Sequence, residues 1–461
     1  MSDSPSSPEW HPYPEAAAWL GGLLESWVAE MPAARALSDS LLHRADCRLA
    51  DWLDHIILVD GDRPRAQLGE LGFEPEDVEA QPGDIVYHLP AAVLPRVVLR
   101  AEVDGEPGTA IGGFIHVESI PAFLMANRRS ANIEGTPLSP YRRATIWKQA
   151  HHELGVIERR GHSGFVPLQK PPEYPERYLR AFETWAGRPR LFEQVQIGME
   201  QTLDLAQRLA ANLGPDTAAW IVLEVERAYW QQRNRAGQVQ KARQDSLGLG
   251  WSNHDHCAFR SSREAFTHLI QILKALGFRA RERFYAGAEA GWGAQVMEQP
   301  TCRLAIFCDV DLSPDEVSTN FSTHPLEPRQ DLGTIGLWCA LHGESMLDAG
   351  THHLAASFDF DALTAGLAEW DIKFMRPFSD FPHLRQAFTR GERWSVSPER
   401  LDRLVAAGQL TVEQRAQFAE KGALSSHLEN IQRGQGFKGF NQRMVSDIIQ
   451  RTDPRLAVGS A

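Results

Sequence analysis

The chain of 461 residues is too long for one hydrophobic core, so we expect two or three domains. Its net charge of −13 argues against non-specific nucleic-acid binding, which needs a basic surface to release counterions. Hydrophobic residues make up 43% of the chain, as in ordinary globular proteins. No stretch offers about 18 uninterrupted apolar residues, so no membrane-spanning helix is expected.

The sequence of the first half predicts two strands that each contain a histidine. Residues 1–15 are Ser/Pro-rich and acidic, and a disordered tail is expected there. His55 lies in a predicted strand over residues 52–59, and His116 in one over residues 112–117. The other predicted elements are helices over residues 16–31 and 33–42, a short helix ending at Leu71, strands over residues 84–89 and 94–103, a helix ending at Ala126, and the closing segments 155–157 and 164–168.

The sequence of the middle region predicts a linker followed by long helices. Residues 168–178 are rich in proline, so we expect a stiff linker over residues 171–190. Helices are predicted over residues 191–213 and 216–240. The second of these is rich in Arg, Gln and Glu, and we interpret it as a solvated helix face.

The second half repeats the order of the first. Its predicted elements are the His256 strand, a helix over residues 262–276, strands near residues 281–285, 293–299 and 303–309, a loop over residues 310–335, a strand over residues 336–342, the His353 strand, a helix over residues 361–369, a helical insertion over residues 398–420 and a final strand with Glu429. Both halves place Asp-His in a strand before a helix that ends in Leu-Gly-Phe. Internal repeats of this kind set the whole architecture.

The repeat predicts a duplicated α+β protein with halves at residues 16–170 and 191–461. In each half, paired βαβββ units would curl into an open, cup-shaped mixed sheet with the histidines inside. Chance matching of common dipeptides is the alternative explanation.

Two histidine-bearing strands suggest a metal site. A buried imidazole needs a partner, because an unpaired polar group costs about 1–3 kcal/mol in a core, and metal ligation is one way to satisfy it. His256, His353 and the later Glu429 would suit tetrahedral zinc or octahedral iron. Core histidines bonded to backbone carbonyls, and a solvated strand glutamate, are the alternatives.

Strand periodicity narrows the candidate residues. His254 and His256 share one face of their strand, and Asp255 points to the opposite face, so alternation cannot choose between the two histidines. Adjacent His352 and His353 point to opposite faces, so at most one of them faces the cup. Arg260 shares the face of His256, and its planar guanidinium suits a substrate carboxylate. A surface salt bridge is the alternative for this arginine.

Three short segments resemble the motifs of the 2-oxoadipate dioxygenase/decarboxylase family, which belongs to the vicinal oxygen chelate superfamily. The segments are His256-Cys-Ala-Phe-Arg260, His352-His353-Leu354-Ala355 and Glu429-Asn-Ile-Gln432-Arg433-Gly434, and the resemblance spans about residues 190–450. It implies that His256, His353 and Glu429 bind Fe(II). It further implies that Arg260 holds the substrate carboxylate, with His352 and Gln432 as further substrate-binding candidates. Ala355 stands where the family has threonine, which leaves the substrate open.

The first half looks like a degenerate copy. It keeps His55 and His116 at what we take to be equivalent places, but has Val59 where the arginine belongs and Val156 where the glutamate belongs.

The resemblance implies a cytoplasmic, non-haem Fe(II)-dependent dioxygenase or decarboxylase. Its substrates would be a small carboxylate (a 2-oxo acid or amino acid) and O₂, with no nucleic acid or membrane as partner. The five cysteines (Cys47, Cys257, Cys302, Cys308 and Cys339) lack CxxC spacing, which suits a reducing compartment and indicates neither disulfides nor a zinc site. Two alternatives remain: a non-redox lyase or isomerase using Zn, Mn or Ni, and a small-molecule-binding protein.

Overall fold

The computed structural model describes residues 9–101 and 105–455. Its first half contains helices packed on one mixed sheet. The elements in chain order are α1 Pro14–Glu30, α2 Pro32–Ala45, α3 Leu49–Trp52, β1 Leu53–Val59, α4 Asp62–Glu70, β2 Glu74–Pro75, β3 Asp84–His88, β4 Arg96–Arg100, β5 Ala110–His116, α5 Ile120–Ala126, β6 Tyr141–Gln149 and β7 His152–Arg159. Four helices follow: α6 Tyr174–Ala186, α7 Val195–Leu213, α8 Pro215–Gln231 and α9 Arg235–Asp245.

The second half contains another mixed sheet and a small two-stranded sheet. Its first elements are β8 His254–Arg260, α10 Phe266–Ala275, β9 Arg279–Tyr285, β10 Trp292–Gln299, β11 Leu304–Asp311, a 3₁₀ turn at Pro314–Glu316, α11 Thr334–His342, β12 His353–Ser357 and α12 Phe360–Ala368. The rest are β13 Leu384–Phe388, β14 Arg393–Trp394, α13 Pro398–Ala406, α14 Val412–Lys421, β15 Ala423–Leu424, β16 His427–Arg433 and α15 Gln442–Arg451. Within the described residues, every helix is too short or too polar to cross a membrane.

The two large sheets have the same topology. The first runs in the order β2-β3-β4-β1-β5-β7-β6, and the second, read from its opposite edge, runs β9-β10-β11-β8-β12-β16-β13. In both, the leading strand pairs in parallel with one neighbour and antiparallel with the other (β1 with β4 and β5, β8 with β11 and β12). The predicted class, a duplicated α+β arrangement of paired units in open mixed sheets, is confirmed.

One hydrophobic core joins the halves. Trp27 and Ile56 of the first half belong to the same buried cluster as Leu354 and Leu428 of the second. The opposite face of the second sheet lines its cup, and α11 and α15 fill it through Trp338 and Ile448. The division into domains at residues 171–190 stays a prediction.

The predicted strand over residues 336–342 is wrong, because this segment lies in α11. Its run of apolar residues is buried on every side, and such a run fits a buried helix as well as a strand. A carboxylate on the neighbouring strand caps the helix. Asp311 accepts the backbone N–H groups of Gly333, Ile335 and Gly336.

The predicted solvated helix over residues 216–240 is also wrong. It divides into α8 and α9, and most of α8 is buried. The charged side chain of Glu226 stays inside because Trp185, Arg188 and Arg190 surround its carboxylate at 2.7–3.0 Å. Periodicity could not reveal these partners, which come from a different helix and from the segment after it.

The expected linker and the expected tail each contain ordered structure. Helix α6 spans much of the linker segment and buries Trp185. In the tail, residues 1–8 lie outside the described residues. Trp10 donates a hydrogen bond to Glu282 at 2.8 Å, and Tyr13 donates its backbone N–H to the carbonyl of Gln435 at 2.7 Å. The end of this segment is therefore fastened to the second half.

Candidate metal centre

Three neighbouring strands bring His256, His353 and Glu429 together on the cup face of the second sheet. Ala355 of β12 pairs with His256 on one side and with Glu429 on the other, and His353 lies two residues earlier on the same face. The Nε2 atoms of both histidines lie 3.2 Å from Oε2 of Glu429. One ligand atom from each residue lies within 4.8 Å of the other two.

The chemistry of these donors fits a divalent metal. All three side chains are buried, and Nε2 of His353 makes no hydrogen bond among the described residues. Gln386 donates to Oε1 of Glu429 at 2.8 Å, which leaves Oε2 facing the imidazoles. Two imidazole nitrogens and one carboxylate oxygen form the face that non-haem Fe(II) uses, and they also suit zinc.

Asp255 orients the imidazole of His256. Its Oδ1 lies 2.7 Å from Nδ1 of His256, so Nδ1 carries the proton and Nε2 faces the cluster. Arg433 binds the same carboxylate with two nitrogens at 2.7 and 2.9 Å. Strand alternation predicted that Asp255 points to the opposite face, with no role at the cluster. The recurring Asp-His pair at residues 54–55 was the signal that could have revealed it.

The first sheet repeats this arrangement without the ligands. Nδ1 of His55 lies 2.7 Å from Asp54, and Arg159 binds that carboxylate at 2.7 and 2.9 Å. His55 and His256 are equivalent, since each lies on the leading strand of its sheet and follows the bound aspartate.

The register identifies which residues of the first sheet replace the other ligands. His55 pairs with Phe114, as His256 pairs with Ala355. Phe114 pairs with Gly155, as Ala355 pairs with Glu429. Gly155 is thus the equivalent of Glu429, and not Val156 as predicted.

The second histidine is likewise replaced by glycine. Gly112 pairs with Ile57, as His353 pairs with Ala258, so the predicted equivalence of His116 is wrong. The Phe114 ring stacks on His55, with centroids 4.9 Å apart, and takes up the space that a side chain at Gly155 would need. The predicted degeneracy of this half is confirmed at the level of its residues.

Arg260 lies at the far end of the same face with unused donors. It is 0% exposed, and its Nη2 donates to Oγ1 of Thr452 at 3.0 Å. Its Nε and Nη1 have no partner among the described residues. Burial lowers the pKa of Arg260 to about 10, which still leaves it charged at neutral pH. A buried cation with free donors is suited to a ligand carboxylate.

Asp309 pairs with Arg260 across β8 and β11. Burial raises the pKa of Asp309 to about 7, although Arg260 and His256 act in the opposite direction. This carboxyl can therefore exchange a proton near neutral pH. Asp309 was not among the residues predicted from the sequence, because the sequence does not reveal that β8 pairs with β11.

The electrostatics of the cluster favour a cation. Burial opposes the charge on His256, but Glu429 and Asp255 together raise its pKa to about 9. Burial and the neighbouring His256 hold the pKa of His353 well below its usual range. Without metal, the cluster therefore carries a proton on His256.

The remaining predicted residues lie around the cluster or away from it. Nδ1 of His352 lies 3.3 Å from Nδ1 of His353, and its ring packs against Trp338. Gln432 lies on the opposite face of β16, where its side-chain oxygen accepts the N–H of Phe360 at 2.8 Å. The structure therefore does not bring Gln432 to the cluster.

Aromatic rings enclose the cluster. Phe307 and Phe440 lie 5.2 and 5.1 Å from the ring of His256, and Phe388 lies 4.9 Å from that of His353. An apolar enclosure excludes water and strengthens electrostatic interactions inside it.

Similar solved structures include a triple mutant of 4-hydroxymandelate synthase from Streptomyces coelicolor, at 12% identity over 87% of this chain and 99% of that one, with a TM-score of 0.29. They also include methylmalonyl-CoA epimerase from Mycobacterium tuberculosis, at 14% identity over 40% of this chain and 89% of that one, with a TM-score of 0.22. No family model and no curated protein matches the sequence. These likenesses are too slight to assign a family, so the resemblance to the 2-oxoadipate dioxygenase/decarboxylase family stays a prediction.

Proposed function

We propose that this protein is a non-haem Fe(II)-dependent oxygenase that decarboxylates or hydroxylates a small carboxylate, either a 2-oxo acid or an amino acid. The observation that carries the proposal is the convergence of His256, His353 and Glu429, with both Nε2 atoms 3.2 Å from one carboxylate oxygen. Fe(II) held by such a face would supply open coordination positions and redox chemistry for O₂ and the substrate.

The residues around the cluster would prepare it for that metal. Asp255, itself held by Arg433, keeps the proton of His256 on Nδ1 and so leaves Nε2 free to bind. Gln386 fixes the rotation of the Glu429 carboxylate through Oε1. In the metal-free protein His256 also carries a proton on Nε2, and this second proton would have to leave for a metal to bind there, because both need the same lone pair.

Arg260 would hold the carboxylate of the substrate. It lies on the same strand and face as His256, four residues further on, or about 13 Å along the strand. The free Nε and Nη1 of Arg260 are the donors that a carboxylate would accept.

A non-redox lyase or isomerase is the second candidate, and Asp309 is the observation that favours it. Enzymes of this type move protons on and off carbon, and a buried carboxyl with a pKa of about 7 is matched to that task at neutral pH. Zn, Mn or Ni would serve as the Lewis acid in such an enzyme.

Oxygen uptake after anaerobic loading with Fe(II) separates these functions. We expect uptake with at least one of a panel of 2-oxo and amino acids, and loss of uptake in the His256→Gln variant. The His55→Gln variant is the matched control, because His55 is equally buried, makes the same bond to an aspartate and lacks the other ligands. Metal-dependent turnover without oxygen uptake would favour the lyase or isomerase, and stoichiometric binding without turnover would favour a binding protein.

A further inference from the structure

A cavity of about 270 Å³ lies between the two halves. Asp54 and Arg159 line it from the first half, and Asp255 and Arg433 line it from the second. In each sheet, this aspartate binds the leading histidine and this arginine binds the aspartate, so the two pairs are equivalent. The cavity therefore lies where the duplicated halves face each other. The residues proposed to bind the metal and the substrate (His256, His353, Glu429 and Arg260) do not line this cavity.

The cations that line the cavity are neutralised, with one exception. Their acidic partners lie at 2.6–2.8 Å in the pairs Arg159–Asp54, Arg433–Asp255, Arg227–Glu118, Arg281–Glu282 and Lys438–Glu298. Arg303 makes no hydrogen bond or ion pair within the part of the chain that the structure describes. The lining therefore carries one positive charge that the protein itself does not balance.

Arg303 is a solvent-exposed side chain on the cavity wall, so its guanidinium is accessible to a molecule in the cavity. The positive charges of Arg96 and Arg159 act on it as well. The residue stays charged at neutral pH. It also has a φ of 57°, a left-handed conformation that is uncommon for residues other than glycine.

A second unmatched donor lies on the same cavity wall. Arg227 donates to Nδ1 of His254 at 3.3 Å, so this nitrogen is the acceptor and the imidazole is neutral. The proton of His254 must then be on Nε2, which is buried and has no acceptor among the described residues. A positive charge and a neutral N–H donor on one wall are the donors that an oxyanion accepts.

We propose that this cavity binds a small oxyanion, through the chemistry that carboxylates and inorganic phosphate share, with Arg303 as the cation that holds it. The site differs from the proposed substrate site. Arg303 directly precedes β11 and lies two residues before Ala305, the partner of His256. The partner of Arg260 is Asp309, on the other side of Ala305 and about 20 Å from Arg303 along the strand, so the two arginines lie on opposite sides of the metal centre. Phe440 lines the cavity and packs on His256, so one ring lies between the two sites.

Titration of the metal-free protein tests this site without any contribution from the metal. Trp220 and Trp251 line the cavity, so their fluorescence reports its occupation. Acetate and inorganic phosphate are added separately, at constant ionic strength, with chloride as the reference. We expect saturable binding of at least one of them, and the probe that binds identifies the source as carboxylate or phosphate.

Variants decide whether Arg303 is responsible. Arg303→Gln should weaken binding at least tenfold, and Arg303→Lys should keep most of it because the charge remains. Arg65→Gln is the matched control, since Arg65 is an exposed arginine that is paired with Asp60 and does not line the cavity. Thermal unfolding of each variant confirms that it folds, and the oxyanion should raise the melting temperature of the wild type more than that of Arg303→Gln.

Three results would overturn the site: no saturable binding of either oxyanion, equal binding by wild type and Arg303→Gln, or a loss of binding in Arg260→Gln that Arg303→Gln does not show. None of them depends on metal binding or oxygen uptake. The outcome therefore stands apart from that of the proposed oxygenase.

Discussion

Phe114 in the first sheet occupies the register position that Ala355 occupies in the second. Each pairs with the leading histidine of its sheet on one side. On the other side, Phe114 pairs with Gly155 and Ala355 pairs with Glu429. The small alanine leaves room for a carboxylate beside the imidazole, whereas the phenylalanine ring fills that room. The larger side chain at this position, together with glycines at the positions of His353 and Glu429, thus distinguishes the first half from the half that is proposed to hold a metal.

A second metal site should appear in the first half when its residues at these three positions are replaced by those of the second half. The triple variant Gly112→His, Phe114→Ala, Gly155→Glu places both missing ligands beside His55, which already has its aspartate and arginine. We expect the metal content to rise from one to two ions per chain, measured by elemental analysis after reconstitution. Gly155→Glu alone is the control. It should gain no metal and lose stability, because its Cβ meets the Phe114 ring. A folded triple variant that still holds one ion would contradict the proposed equivalence.

Removing the carboxylate that braces His256 should weaken metal binding. Asp255→Asn should lower the affinity for Fe(II) or Zn(II) by about 10–100-fold, the usual cost of losing such a partner. Calorimetric titration under anaerobic conditions measures it. Asp54→Asn is the matched control, since Asp54 makes the same bonds to His55 and Arg159. Equal effects of the two substitutions would show that the aspartate serves the fold and not the metal.

Arg260 should matter for substrate and not for metal. The Arg260→Gln variant should lose on the order of 10–100-fold in kcat/KM for the carboxylate substrate, the cost of losing a charge-assisted hydrogen bond. Its metal content should stay unchanged. Because the wild-type guanidinium is buried with free donors, the thermal stability of the variant should be equal or higher. A variant that keeps full kcat/KM would remove Arg260 from the site.

Asp309 should make the stability of the fold depend on pH. Its pKa rises from an ordinary 3.8 to about 7 on folding, so between these values the folded state keeps a proton that the unfolded state has lost. The contribution of Asp309 to the free energy of unfolding is therefore fully present below about pH 4 and is lost as the pH rises through 7. Urea unfolding of the metal-free protein should show a smaller loss of stability from pH 5 to pH 8 in Asp309→Asn than in wild type.

The control for this pH dependence has the opposite sign. Asp361 is exposed and binds Arg385, whose hydrogen bonds lower the pKa of Asp361. Its contribution is lost as the pH falls, so Asp361→Asn should not reduce the loss of stability between pH 5 and pH 8. An Asp309→Asn variant that follows the wild-type curve would show that Asp309 ionises normally.

The duplicated fold could be predicted from the sequence pattern, and the grouping of His256, His353 and Glu429 from the resemblance of their segments to the motifs of a known family. Hydrophobic periodicity locates strands, and the repeated order of elements relates the halves. The alignment of the halves beyond the leading histidine could not be predicted in this way. His116 and Val156 were chosen by their place in the order of elements. The pairing of the strands instead makes Gly112 the equivalent of His353 and Gly155 the equivalent of Glu429. Register depends on pairing between distant strands, which one sequence does not reveal.

Residues that act through a partner were the hardest to predict. Strand alternation set Asp255 apart from His256, yet the aspartate reaches Nδ1 from the adjacent position. Asp309 could not be predicted because its raised pKa results from burial, and its burial depends on the packing of the whole sheet. Helix α8 was misjudged because its charges find partners in other segments. Each error concerns an interaction between residues far apart in the chain, or a side chain that bends away from its ideal direction.

Strand β16 carries both Glu429 and Arg433, the second of which holds the aspartate behind His256. A slip of this strand by one residue turns every side chain to the other face. Such a slip would move the carboxylate of Glu429 away from the cluster. It would also separate Arg433 from Asp255, the residue that orients His256. The candidate centre therefore forms only when β16 pairs in the correct register. In any other register, His353 is the one candidate ligand that keeps its orientation.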